Sequence, residues 1–158
     1  MLARFFRSPK RSFESLSEQE ILALAIASEE DDARIYLAYA DRLRREFPAS
    51  AKIFEDMAEV EDTHRKSLIE IHRQRFGERI PLIRREHVEG FYERKPDWLR
   101  ANLSLDAMRQ ETEAMEDQAY RFYVEAAKRT SDASTRELLG DPSEAAVFAA
   151  ESDGSVVD

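Results

Sequence analysis

The stretch Glu55–His64, EDMAEVEDTH, ends in Glu-x-x-His within a long amphipathic segment. Steps of alternating three and four residues through it place Phe54, Met57, Glu61, His64, Leu68 and Ile71 on one helical face. Phe54, Met57, Leu68 and Ile71 are apolar, so Glu61 and His64 occupy positions a helix keeps for its core. Burying a carboxylate costs several kcal/mol unless it is paired or coordinated. Residues at i and i+3 share a face, so this pair could reach one ion together.

The same pattern recurs on either side. The run ILALAIASEEDDARIYLAYADRL gives a seam of Leu22, Ile26, Glu29, Ala33, Tyr36, Ala40 and Leu43. Glu30, next in the acidic run EEDD, is the alternative inward residue; Glu29 has the better apolar company. A later helix gives Glu113, Glu116, Tyr120, Tyr123 and Ala127. Antiparallel packing could bring these acids to one level. There they would repel one another unless a divalent cation joined them, and carboxylate with neutral imidazole is a ligand set for such a cation. A lone Glu-x-x-His is common on solvated helix faces; the weight comes from independent helices each placing acids on their seams. Tyr36, Tyr120 and Tyr123 are expected to pack in the core, and His72 and His87 to lie on the surface.

The rest of the chain sets the frame. A length of 158 residues suits one domain. With no cysteine, disulfides, iron–sulfur clusters and thiolate zinc sites are excluded, leaving oxygen and imidazole donors for any metal. The net charge of −9 argues against nucleic-acid binding. No apolar run reaches the length of a membrane span. The start, MLARFFRSPKRSF, lacks an apolar signal core, so residues 1–16 are expected to form a flexible basic arm and the chain to reside in the cytoplasm.

Ser17 and Glu20 form a capping box, and Pro48 is expected to end the first helix. The second runs from about Ala49 to Arg75 with Gly77 as its stop. The stretch FGERIPLIRREHVEGFYERKPDWLRAN (76–102) is too long for a turn and too apolar for a free linker, so it reads as a packed crossover. A third helix spans about Ser104 to Arg129, and a fourth begins at TRELLG. The expectation is an all-α four-helix bundle over 17–152, with one long connection between helices 2 and 3 and a disordered tail at 153–158.

The chain also resembles itself: EEDDARIYLAYADR from Glu29 matches EDQAYRFYVEAAKR from Glu116, with Arg34, Tyr36, Ala40 and Arg42 falling on Arg121, Tyr123, Ala127 and Arg129. Glu29, Glu61-x-x-His64 and Glu113-x-x-Glu116 together resemble the rubrerythrin branch of the ferritin-like superfamily. The phrases EEDDARIYLAYA and YRFYVEAAKRTSDASTRELLGD look closer still to the rubrerythrin-like domain of membrane-bound ferritins, bacterial proteins that fuse it to a vacuolar-iron-transporter-like membrane region. The resemblance covers about Ser17 to Asp141. It implies a ferritin-like bundle with a di-iron site that oxidises Fe(II), with oxygen or peroxide, in iron homeostasis or oxidative-stress defence. It further implies Glu61 as a bridging ligand, Glu29 and His64 on one iron, and Glu113 or Glu116 as a bridge or a closing ligand of the other. Manganese or zinc could substitute in such a set.

One departure stands out. The family pattern expects a second Glu-x-x-His on the fourth helix, where the internal repeat places Ala146 and Ala149. From Pro142 the chain reads PSEAAVFAAESDGSVVD, with its own capping signal, so the fourth helix is expected to kink or restart near Gly140. Glu144 and Glu151 are the available substitutes, out of register by half a turn or more. Either the chain is a truncated or frameshifted reading of a longer protein, or it is a variant with a reduced site. The competing functional reading is a non-catalytic metal-binding module, an iron sensor or adaptor, or a homodimer whose partner completes the site. A plain structural bundle has no account of Glu61, His64 and Glu116 on the seam.

Overall fold

Ser17 opens the first helix as its capping box requires: its hydroxyl accepts from the Glu20 amide at 3.2 Å while the Glu20 carboxylate accepts from the Ser17 amide at 3.1 Å. The computed structural model describes residues 9–90 and 103–139. Within them α1 spans Glu18–Leu43, α2 Pro48–Phe76, α3 Leu105–Lys128 and α4 Ala133–Leu139. Among the described residues there is no strand, only an isolated parallel bridge between Arg11 and Val88. The expected all-α bundle is therefore the observed architecture. The kink near Gly140 lies outside the described residues.

Pro48 does not close α1; it sits at the first position of α2, where its missing N–H costs nothing. The short turn between Leu43 and Pro48 makes α1 and α2 antiparallel neighbours. Gly77 ends α2 at φ 90°, ψ −173°, a conformation essentially reserved for glycine.

The core divides into two apolar clusters. One gathers Phe13, Leu16, Ile21, Leu22, Ile26, Leu68, Ile83, Val88, Phe122, Ala126 and Leu139. The other gathers Ile35, Tyr36, Tyr39, Ala40, Leu43, Phe54, Ala58, Met108 and Met115. On α1 the first cluster ends at Ile26 and the second begins at Ile35, with Glu29 between them. On α2 the gap falls between Ala58 and Leu68 and holds Glu61 and His64. A polar layer thus crosses the bundle between two apolar halves.

Within the segment expected to be a flexible arm, residues 11–16 are held against the bundle. Phe13 and Leu16 are buried, Phe13 packs edge-on against Phe122 with ring centroids 5.9 Å apart, and Arg129 holds the Phe13 and Leu16 carbonyls. The basic composition of the arm concealed two apolar residues that the core needs. At the same end Arg75 bonds Glu18 at 2.6 Å and Thr135 at 3.2 Å, tying α2 to α1 and α4.

Candidate metal centre

Glu29 is carried on the buried face of α1 and is 4% exposed. Across from it, α2 presents Glu61 and His64 from adjacent turns. One donor atom from each of the three residues lies within 4.8 Å of the others. His64 Nδ1 stands 3.9 Å from Glu29 Oε2. The layer is open on one side, since the His64 side chain is 38% exposed.

The electrostatics of the trio are unfavourable without a cation. Tyr123 donates its hydroxyl proton to Glu29 Oε1, while Glu29 Oε2 is buried with no hydrogen-bond partner. Burial pushes the Glu61 carboxyl up to about 11, reinforced by its bond with Glu29 and by the charges of Glu29, Asp32 and Glu116. Glu116 is raised as well, first by burial and then by Glu113. A cation would satisfy the orphaned oxygen, let Glu61 ionise and accept the imidazole nitrogen. The donor set present therefore fits a divalent metal.

Glu116 is partly buried and close enough to Glu61 to raise its proton affinity. Glu113 is exposed, and the structure does not bring it to the trio. The buried stripe of α3 runs through Met108, Thr112, Met115, Phe122 and Ala126, which rotates Glu113 outward and leaves Glu116 on the margin. The same rotation leaves Tyr120 47% exposed, against the expectation that it packs inside. Glu30 points away from the trio and pairs with Arg34 at 2.6 Å, so Glu29 is the inward acid. Glu144, Glu151, Ala146 and Ala149 lie outside the described residues.

His72 overturns the surface expectation, for it is fully buried. Its Nδ1–H donates to the Gly77 carbonyl at 3.0 Å, leaving Nε2 to face the Gln19 amide at 3.5 Å. The seam announces it, because Leu68 plus four residues reaches His72. His87 is exposed, as expected. Tyr123 as the partner of Glu29 was visible only as a repeat of Tyr36. The burial of Arg85 against Asp32 had no helical spacing to reveal it.

An all-α bundle in which two glutamates and a histidine converge on a buried polar layer offers a carboxylate–histidine donor set of the kind that four-helix metal proteins use. The family model described as Rubrerythrin matches residues 20–145, and the chain belongs to the rubrerythrin family. The match extends slightly beyond Asp141, the end of the sequence resemblance. No curated protein and no solved structure matches the chain.

Proposed function

We propose that the chain binds Fe(II) at Glu29, Glu61 and His64 and promotes its oxidation by oxygen or peroxide, in iron homeostasis or defence against oxidative stress. The observation that supports this is the convergence of the three donors within 4.8 Å on two facing helices. Family membership supports iron over other ions, with manganese or zinc as possible occupants of the same donors. Iron held by carboxylates favours the Fe(III) state and so supplies electrons to the oxidant.

The residues divide the remaining tasks. Glu61 would have to give up the proton that burial and Glu29 hold on it in order to serve as a carboxylate donor to a bound cation. Tyr123 holds Glu29 by one oxygen and leaves the other directed toward His64. His64, on the open side of the layer, marks where Fe(II) and the oxidant would enter. Glu116 stands by as the α3 carboxylate for a second metal, with Glu113 outside it. The family's second metal position would also need donors from beyond Leu139, for which Glu144 and Glu151 are the candidates.

The proposal extends to the setting: a cytoplasmic homodimer, similar to the rubrerythrin-like domain of membrane-bound ferritins. Its bundle would span 17–152, with a tail after it. No described helix is long and apolar enough to cross a membrane.

The test is an anaerobic Fe(II) titration followed by addition of oxygen or peroxide. Saturable binding with oxidation faster than that of free Fe(II) supports the reading. Binding without acceleration would leave the non-catalytic metal-binding module in its place. No binding would overturn the metal centre itself.

A further inference from the structure

Arg85 belongs to the crossover, yet its guanidinium is buried against the turn of α1 that carries Glu29, and the residue is only 5% exposed. Its Nη2 donates to the Ser28 carbonyl and to Asp32 Oδ1, and its Nε stands 3.8 Å from Asp31 Oδ2. Arg84 donates to Asp31 Oδ1 at 3.0 Å. Ser28 and Asp32 flank Glu29 in sequence on the same helix. Asp32 is buried too, and its charge is felt at Glu61.

A buried ion pair is weak evidence for stability, because apolar side chains of similar volume often serve as well or better. Its location suggests a different role. We propose that Arg85 is a positioning residue of the metal centre that holds Asp32 as a neutralised pair and thereby limits how tightly the centre binds a divalent cation. The inference rests on the metal-centre reading above. The physical argument is Coulombic: a dication beside Glu29 is attracted by an unpaired Asp32 carboxylate on the same helix turn, and the guanidinium of Arg85 on that carboxylate cancels the attraction. With Asp32 masked, the centre has fewer effective negative charges and releases its metal more readily. With Asp32 unmasked, the added negative charge would hold a divalent cation more tightly.

The test uses the full chain and Co(II), followed by calorimetric titration and by the visible absorption of the bound ion. Wild type is measured first, and absence of Co(II) binding there overturns both this inference and the metal centre. If wild type binds, Arg85→Gln is expected to tighten binding about tenfold and Asp32→Asn to weaken it about tenfold. The double variant and Arg85→Lys should each stay within about threefold of wild type, because each keeps the local charge. Asp32→Asn preserves an acceptor for Arg85 and so carries the test even if Arg85→Gln fails to fold. Weaker binding in Arg85→Gln, or unchanged binding in Asp32→Asn, would show a merely structural pair and overturn the inference.

Discussion

Glu61 keeps its proton at neutral pH because its alternatives are worse: a buried charge facing Glu29, with Asp32 and Glu116 nearby. Its value of about 11 in the folded chain lies above the 4.5 of an ordinary glutamate. The folded state therefore binds a proton that the unfolded state gives up above about pH 4.5. Stability of the metal-free chain should fall as pH rises through that window, by at most about 1.4 kcal/mol per pH unit from this group. Glu116 acts in the same direction. Urea unfolding of metal-free protein at several pH values should show the decline, and Glu61→Gln should flatten it. Metal binding should release a proton in wild type and not in that variant. His64→Ala should abolish high-affinity Co(II) binding, read by titration, while leaving the metal-free fold intact because His64 is only partly buried. The inward placement of these two residues was legible in the sequence because each broke an apolar seam of otherwise regular spacing. Glu113 was misplaced because the third-helix seam was traced through acids and tyrosines, while the buried stripe follows Met108, Met115 and Phe122.

At the scale of elements, caps and stops were the most legible features. Ser17 and Gly77 each sit where the sequence placed them, since capping depends on chemistry within a few residues. Gly77→Ala should cost about 1–3 kcal/mol in urea unfolding from backbone strain alone. Nothing lies within 4 Å of the added methyl position, so a clash would not contribute. The crossover and the segment before Ser17 were harder to read. Their order comes from Arg85, Arg129, Phe13 and the bridge from Arg11 to Val88, all contacts between residues remote in sequence. Phe122 joins these parts, being fully buried against Phe13 and Tyr123. Phe122→Ala should cost about 3–5 kcal/mol and free the N-terminal segment, which limited proteolysis would detect.

For the whole molecule, the polar layer between two apolar clusters is the place where the proposed metal would add to stability. A divalent ion at one hundred times its dissociation constant should add about 2.7 kcal/mol, seen as a rise in melting temperature that a chelator reverses. All-α class, helix order and the long connection followed from periodicity and punctuation. The mutual placement of the helix pairs did not, because it depends on arginines such as Arg75 reaching Glu18 and Thr135 across the end of the bundle.

The short turn at Pro48 has one more consequence, which concerns time. Glu29, Glu61 and His64 all come from a single hairpin of contiguous chain, closed by that turn. Contacts local in sequence form early, long before the crossover can be threaded back along α1. On a ribosome, the hairpin would emerge and could capture its ion while α3 and α4 were still being synthesised. If the proposed ion binds that early, it would act as a template on which the later helices dock, with Tyr123 arriving to hold a Glu29 carboxylate already oriented.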